Sequence, residues 1–180
     1  MAKIKKRLAI LGSTGSIGRQ ALEVVEANPD LFSVEVLTAN NSAELLIRQA
    51  LRYKPAAVVI ANEAKAKDVL YALDGQGIKV WSGSQAIQDS VQQDSVDMVV
   101  ASMVGYSGLL PVIKAIEAKK QIAFANKETL VVAGEIITRL CKENGVNLLP
   151  VDSEHSAIFQ CLAGEEPKSI DKILLTCSGG

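Results

Sequence analysis

The 180-residue sequence has little net charge and few cysteines, and each shortage excludes a class of protein. Lysine and arginine total 19 and aspartate and glutamate total 20, so the formal net charge is -1. A chain this neutral has no overall field to attract a polyanion, and we expect no nucleic-acid partner. The three cysteines are too widely spaced for a disulfide framework or a zinc site, which favours a reducing compartment; they are Cys141, Cys161 and Cys177.

Long apolar segments are also missing from the sequence. The longest stretch without a charge, Met98–Ile113, contains glycine, serine and proline and is shorter than the ~20 apolar residues that a membrane helix needs. Residues 1–7 hold no apolar stretch, so we expect neither a signal or transit peptide nor a membrane partner. Hydrophobic residues still make up 48% of the chain, which is enough for a packed core and excludes the disordered, collagen-like and low-complexity classes.

Short apolar runs alternate with longer amphipathic segments along most of the chain. Seven runs are predicted to be strands: 7–11, 34–39, 56–61, 78–81, 97–101, 121–125 and 147–151. Helical spacing predicts helices between them, over 17–28, 43–53, 64–73, 85–92, 109–118 and 127–144. Because uninterrupted apolar strands are buried on both faces, this alternation predicts a doubly wound, mostly parallel, Rossmann-like α/β sheet.

The pattern changes after Pro150. A helix is predicted over 152–163, a charged turn over 165–168 and a new strand over 171–176. This last strand has no obvious following partner in the sequence. We therefore predict one domain over 1–150 and the truncated start of a second, α+β domain over 151–180.

A glycine-rich loop, Gly12-Ser13-Thr14-Gly15-Ser16-Ile17-Gly18, joins the first predicted strand to the first predicted helix. Gly12 permits a tight turn, Gly15 lets a pyrophosphate approach the backbone, and Gly18 lets the helix pack against the sheet. The unpaired amides and the positive end of the helix dipole then face the anion. In this position the loop indicates dinucleotide binding, and the alternative is a glycine-rich turn without a ligand.

The end of the second predicted strand bears on the choice between NAD and NADP. NAD-binding proteins place an acidic residue there to hold the ribose 2′-hydroxyl. Here the strand ends Ala39-Asn40-Asn41-Ser42, with no carboxylate to repel a 2′-phosphate, so the sequence favours NADP. Asn40 and Ser42 alternatively turn the chain and cap the second helix, and both roles are compatible.

Two carboxylates follow the seventh predicted strand, in the segment Asp152-Ser153-Glu154. Residues two apart in extended backbone project to the same side, so this pair is able to converge on a divalent ion such as Mg²⁺ or Mn²⁺. The alternative is that Asp152 or Ser153 caps the next helix and that Glu154 stabilises its first turn. His155 is a candidate ligand or general acid, or it simply packs or caps there.

Asn126, Lys127 and Glu128 follow the sixth predicted strand, at the same edge of the sheet. Asn126 is able to cap the helix that begins here, and Lys127 is able to reach toward an anionic or hydroxylated substrate. The alternative is a capped helix with a surface ion pair. Spacing alone leaves both interpretations open.

Three of these stretches together resemble one known family. Gly12–Gly18, Ala125–Leu130 and Leu149–Gln160 are similar to segments of 1-deoxy-D-xylulose 5-phosphate reductoisomerases, and the likeness covers nearly the whole chain. The family uses NADPH and a divalent metal in the non-mevalonate route to isoprenoid precursors. The resemblance implies a retro-aldol and aldol rearrangement of 1-deoxy-D-xylulose 5-phosphate, followed by reduction with NADPH to 2-C-methyl-D-erythritol 4-phosphate.

The resemblance also implies roles for individual residues. The metal, Mg²⁺, Mn²⁺ or Co²⁺, is expected on Asp152 and Glu154, and the catalytic group comprises Lys127, Glu128, Asp152 and Glu154. Contacts to the small phosphosugar substrate are expected from Lys127, Ser153, Glu154 and Ser178. The cofactor is expected on Gly12, Thr14, Gly15, Ser16, Ile17, Gly18, Ala39, Asn40, Asn41, Asn126 and Glu128.

The sequence departs from the family pattern in two places. Many members carry Ala-Gly-Lys-Asn where this chain has Ala39–Ser42, so the lysine that would meet the 2′-phosphate is absent. The chain also stops before further metal and substrate residues of the family, so these 180 residues are expected to be inactive by themselves. Family likeness further implies a homodimer at full length and a bacterial cytoplasm.

Two other functions compete with this interpretation. One is a different NAD(P)-dependent dehydrogenase, such as a semialdehyde dehydrogenase, which would need a nucleophilic cysteine. None of the three cysteines has a local catalytic signature, which disfavours that enzyme. The other is a non-catalytic module that senses NADPH without any dependence on metal.

Overall fold

The structure, a computed structural model, describes residues 5–175. Its strands are β1 (Lys6–Leu11), β2 (Phe32–Ala39), β3 (Ala57–Ile60), β4 (Lys79–Ser82), β5 (Met98–Ala101), β6 (Gln121–Phe124) and β7 (Leu148–Pro150). Its α-helices are α1 (Ser16–Ala27), α2 (Ala43–Tyr53), α3 (Ala66–Ala72), α4 (Ser84–Ser90), α5 (Leu109–Glu117), α6 (Lys127–Asn144) and α7 (Ser153–Leu162). Short 3₁₀ turns lie at Glu63–Lys65, Gly105–Gly108 and Pro167–Ser169.

The described strands form one sheet in the order β4-β3-β2-β1-β5-β6-β7. Every neighbouring pair in this sheet is parallel. The strand order reverses between β1 and β5, and such a reversal opens a crevice at the carboxyl ends of the strands. The prediction of a doubly wound α/β sheet is confirmed.

Helices cover both faces of the sheet and bury two apolar clusters. The first cluster packs residues of α1, α2 and α3, such as Leu22, Leu46 and Val69, on one face. The second packs residues of α4, α5 and α6 on the other face. Ile10 and Leu11 are adjacent in β1 yet belong to opposite clusters, because successive side chains of a strand point to opposite faces. Burial on both faces explains why β3 and β5 are uninterrupted apolar runs.

The predicted strands and helices up to α7 are present, with ends that differ by at most two residues from the predicted bounds. The strand predicted over 171–176 is wrong for the residues that the structure describes, because 171–175 form no strand. A strand needs a neighbour for its backbone hydrogen bonds, and none of the described strands pairs with this segment. Its apolar side chains, among them Leu174 at 81% exposure, stay open to solvent. Among residues 5–175, no helix has both the length and the apolar character needed to cross a membrane.

An ion pair ties the amino end of β1 to the turn before β5. Arg7 Nε donates to Asp97 Oδ2 at 3.0 Å, and Arg7 Nη2 donates to Oδ1 at 2.9 Å. The backbone N–H of Arg7 also donates to Oδ2, at 2.8 Å. These hydrogen bonds and the charge of Arg7 lower the pKa of Asp97 to about 2, although partial burial acts in the opposite direction.

We expect this pair to make the stability of the fold depend on pH in the acid range. The pKa of Asp97 is lower in the folded chain than in the unfolded chain. Its ionised carboxylate therefore stabilises the fold fully above pH 3.8, the ordinary pKa, and this stabilisation is lost as the pH falls toward about 2. Both side chains are more than a third exposed, so we expect a contribution of about 1 kcal/mol. Asp97→Asn should remove that much of the acid dependence in urea unfolding at pH 5 and pH 2.5. Asp94→Asn, a nearby surface control, should leave it unchanged, and equal curves for Asp97→Asn and the unchanged chain would contradict the assignment.

Candidate nucleotide site

The glycine loop lies at the carboxyl end of β1, where the strand order reverses. Gly12 has a φ of +77°, a backbone conformation that favours glycine. A Cβ atom at Gly18 would lie 2.3 Å from the carbonyl oxygen of Gly12, so only glycine allows this approach. The first turn of α1 therefore rests directly on the turn that follows β1.

The start of α1 leaves backbone amides free. The N–H groups of Thr14, Ser16 and Ile17 have no backbone acceptor within residues 5–175. Gly15 is the N-cap residue, so no side chain caps the helix, and no acidic residue lies in its first turn. Uncapped amides at the positive end of a helix dipole suit an anion such as a pyrophosphate.

A cleft of about 640 Å³ opens beside this loop. Of the predicted cofactor residues, those that line it are Gly12, Thr14, Gly15, Ala39 and Asn40. The rest of the lining was not predicted from the sequence; it comprises Thr38, Ala61, Ser84, Ile87, Gln88, Ser102, Met103, Val104, Tyr106, Ser107, Leu110 and Pro111. Most of these lie at or after the carboxyl ends of β2, β3 and β5 or within the next helix. The predicted topology places these positions at the crevice, so it could have identified them as cleft residues.

Four of the predicted cofactor residues near the loop and β2 lie outside the cleft lining. Ser16, Ile17 and Gly18 form the first turn of α1, and Gly18 is buried. Asn41 lines a second cavity of about 380 Å³ together with Ser42 and Lys65. Ser42 occupies the N-cap position of α2 but forms no capping hydrogen bond with its side chain.

Asn126 has a structural role at the start of α6. It is 2% exposed, and its Oδ1 accepts from the backbone N–H of Thr129 at 3.2 Å, so the predicted capping is confirmed. Its Nδ2 donates to the carbonyl oxygen of Gly105 at 2.9 Å and so joins α6 to the turn after β5. Lys127 and Glu128 follow on the first turn of α6 and are exposed. Contacts of these three residues with a cofactor or substrate stay predictions.

Asp152 is the N-cap of α7, as the capping interpretation predicted. Its Oδ1 accepts from the backbone N–H of His155 at 2.9 Å, and its Oδ2 lies 2.7 Å from His155 Nδ1. Burial raises the pKa of Asp152, but the two hydrogen bonds from His155, together with the charges of His155 and Lys127, outweigh burial and lower it overall. The edge of the sheet therefore holds an ionised carboxylate with a cationic lysine nearby.

The extended backbone on which the predicted convergence of Asp152 and Glu154 rested is not present, because α7 begins at Ser153 and Glu154 lies on its first turn. Glu154 is exposed on the first turn of α7 and, with Ser153, lines a cavity of about 420 Å³ between α7 and residues 172–175. Carboxylate oxygens are the ligands that Mg²⁺ and Mn²⁺ prefer. Among the described residues, however, no cluster of three or more His, Cys, Asp or Glu side chains is placed to hold a metal. The predicted substrate contact Ser178 lies outside the described residues.

The cysteines give no support to a cysteine-dependent dehydrogenase. Cys141 lies in α6 and is buried, and that burial raises the pKa of its thiol. A nucleophilic cysteine needs a lowered pKa, because the thiolate is the reactive form. Cys161 is exposed on α7, and Cys177 lies outside the described residues.

A parallel sheet in this order, with a glycine loop at the point of reversal, defines a Rossmann-type α/β protein. Comparison with known families then places the chain more closely. The profile described as 1-deoxy-D-xylulose 5-phosphate reductoisomerase matches residues 8–134, and the profile of the C-terminal domain of that enzyme matches residues 148–180. The chain belongs to the 1-deoxy-D-xylulose 5-phosphate reductoisomerase family, and the resemblance seen in the sequence is confirmed.

Individual relatives agree with this assignment. The chain is 63% identical over 177 residues to the 1-deoxy-D-xylulose 5-phosphate reductoisomerase of Porphyromonas gingivalis, covering 98% of this chain and 46% of that protein. A solved structure of the Zymomonas mobilis enzyme with NADPH is 38% identical, with a TM-score of 0.84 over 87% of this chain and 41% of that one. Another reductoisomerase, solved with NADPH, fosmidomycin and magnesium, is 33% identical, with a TM-score of 0.83 over 87% of this chain and 38% of that one. The chain spans about half the length of the curated relatives that it matches.

The close contact within the glycine loop predicts unequal effects of two matched substitutions. Gly18→Ala would place a methyl group against the Gly12 carbonyl, and we expect it to destabilise the fold by about 1–3 kcal/mol. A Cβ atom at Gly15 would lie 3.3 Å from the same oxygen, so Gly15→Ala should cost less than ~1 kcal/mol. Urea unfolding of both variants checks the difference, and equal midpoints would show that α1 does not rest on the loop in this way.

Proposed function

We propose that the chain supplies the NADPH-binding domain, residues 1–150, and the start of the catalytic and metal-binding domain, residues 151–180, of a reductoisomerase. The whole enzyme would convert 1-deoxy-D-xylulose 5-phosphate to 2-C-methyl-D-erythritol 4-phosphate. The observation that carries this proposal is the loop at Gly12–Gly18, with free amides beside a cleft at the point of strand reversal. Membership of the family supports the reaction and the substrate.

The cleft offers a distinct environment to each half of the cofactor. The free amide of Thr14, which lines the cleft, would bind the pyrophosphate in the middle, and those of Ser16 and Ile17 lie at the adjoining N-terminus of α1. The adenosine half would lie toward the end of β2 and α4, where Asn40 and Gln88 line the cleft. The nicotinamide half would then lie toward the turn after β5, at the other end of the lining.

The support for a preference for NADPH at the end of β2 is the lack of a carboxylate in Ala39–Ser42, together with the amide of Asn41. Asn41 Oδ1 accepts from Asn62 Nδ2 at 2.8 Å, so the amide group of Asn41 remains a donor for a phosphate oxygen. Lys65 and Arg48 line the same small cavity as Asn41 and would offer positive charge to a 2′-phosphate, although Glu44 and Asp68 also line it. These groups would replace the lysine that many family members carry in the loop after β2.

The edge formed by β6 and β7 would hold the metal and the substrate. Asp152 and Glu154 would hold Mg²⁺ or Mn²⁺, which when bound polarises substrate oxygens and stabilises the negative charge that develops on them. The hydrogen bonds from His155 that lower the pKa of Asp152 favour its charged form, which is the form that binds a cation. Lys127 and Ser153 would contact the phosphosugar, with Glu128 beside Lys127 on α6. Ser178 completes the proposed contacts.

The second unit, the cellular location and the assembly are also proposed. No residue of α7 is buried, and Phe159 is 50% exposed, which supports the start of a separate unit in this part of the chain. The sparse cysteines and the bacterial relatives support a bacterial cytoplasm. A homodimer at full length is proposed from the family likeness alone.

The loop hypothesis predicts that Gly15→Val blocks cofactor binding. The branched side chain would occupy the space through which the pyrophosphate approaches the backbone. We expect the Kd for NADPH, measured by calorimetry on this chain, to rise by at least about tenfold, or ~1.4 kcal/mol. Gly134→Ala, in an open part of α6, should leave the Kd unchanged. Undiminished affinity of a folded Gly15→Val chain would remove the main support for the proposed function.

The metal hypothesis predicts a loss of turnover that capping cannot explain. Asparagine caps helices as well as aspartate, so Asp152→Asn should preserve α7 while removing a charged ligand. In a full-length enzyme that contains this segment, we expect metal-dependent turnover to fall by at least about a hundredfold with NADPH binding retained. Asp171→Asn, an exposed control, should keep full turnover. Unchanged turnover of Asp152→Asn at limiting Mg²⁺ would overturn the metal assignment.

A further inference from the structure

Gln49 on α2 forms a buried, reciprocal pair with the second residue of the glycine loop. Gln49 is 6% exposed and Ser13 is fully buried. Gln49 Nε2 donates to the carbonyl oxygen of Ser13 at 2.8 Å, and Ser13 Oγ donates to Gln49 Oε1 at 2.7 Å. The amide nitrogen and the amide oxygen of Gln49 therefore both form hydrogen bonds with the same loop residue, Ser13.

Thr38 at the end of β2 holds the same part of the loop from a second side. The backbone N–H of Ser13 donates to the Thr38 carbonyl at 2.9 Å, and the N–H of Gly12 donates to Thr38 Oγ1 at 2.9 Å. Thr38 is 1% exposed. These bonds fix the backbone before the peptide that links Ser13 to Thr14. Among residues 5–175, only Gln49 donates to the carbonyl of that peptide.

The orientation of this one peptide decides where an amide points. In a trans peptide, the C=O and the following N–H point in opposite directions. Because the Ser13 carbonyl is bonded to Gln49, the N–H of Thr14 is turned away from α2, and Thr14 lines the cleft. That N–H has no backbone acceptor among the described residues.

We propose that Gln49 is a positioning residue for cofactor binding, which holds the Ser13–Thr14 peptide so that the Thr14 N–H donates to the pyrophosphate of NADPH. The inference rests on the proposed function and deepens it. The position requires a side chain that donates to a carbonyl and accepts from a hydroxyl at once, and a carboxamide does both. A methionine would fill the same volume without either bond.

Binding of three nucleotides to this chain tests the inference. NADP⁺ and ADP contain a pyrophosphate, whereas 2′-AMP does not, and calorimetry gives a Kd for each. For Gln49→Met we expect the Kd of NADP⁺ and of ADP to rise about tenfold, as for one hydrogen bond to a charged group, and that of 2′-AMP to change less than about twofold. Lys120→Met is the matched control, because Lys120 is also buried and donates to a backbone carbonyl, of Gln93 at 2.7 Å, near the opposite end of the strands.

Each outcome decides between a positioning role and a structural one. If Gln49→Met weakens the binding of all three nucleotides equally, or if Lys120→Met shows the same losses, the effect is general destabilisation and the inference is wrong. Unchanged binding of NADP⁺ and ADP by Gln49→Met would also overturn it. If Gln49→Met fails to fold, Ser13→Ala removes one of the two bonds and should still weaken NADP⁺ and ADP about threefold while sparing 2′-AMP. Failure of the unchanged chain to bind NADP⁺ would overturn the proposed function, and this inference with it, whereas loss confined to the variants supports both.

Discussion

The contact between the first turn of α1 and the turn after β1 is the constraint on which the site depends. With hydrogen in place of a side chain at Gly18, the helix start comes within van der Waals distance of the Gly12 carbonyl. This approach places the uncapped end of α1 over the end of a central strand, where the strand order reverses. The cleft, the free amides and the hydrogen bonds from Thr38 and Gln49 are all arranged around that one approach.

The fold was predictable because its cause is local and repeated. β3 and β5 are buried at every position, and a strand covered by helices on both faces has to be apolar throughout. The glycine loop was predictable for a similar reason, since Gly12 and Gly18 are required by backbone conformation and by close packing within seven residues of chain. Both signals lie in short segments, so they are visible without knowledge of distant contacts.

Features that depend on distant contacts were not predictable in this way. The helical spacing of α2 places Gln49 on the buried face with Leu46 and Ala50, but its partner Ser13 is 36 residues away and cannot be read from that pattern. Ser102, whose Oγ donates to the Leu11 carbonyl at 2.6 Å, similarly acquires its place in the cleft from the pairing of β1 with β5. The strand expected over 171–176 failed because an apolar run predicts burial, whereas strand formation requires a partner. Residues 171–175 have no such partner among the described strands.

The capping role of Asp152 and its proposed role as a metal ligand do not exclude each other. A carboxylate has two oxygens and about four acceptor positions, and the backbone N–H and the Nδ1 of His155 occupy two of them, one on each oxygen. The N-cap bond also fixes the direction of the Asp152 side chain at the end of β7. A carboxylate on a loop without such a bond would not have a fixed direction. The same bond acts to lower the pKa of Asp152 and so favours the charged form of its carboxylate. Capping therefore gives Asp152 an ordered side chain at the N-terminus of α7, and this order is compatible with the metal-binding role that we propose for it.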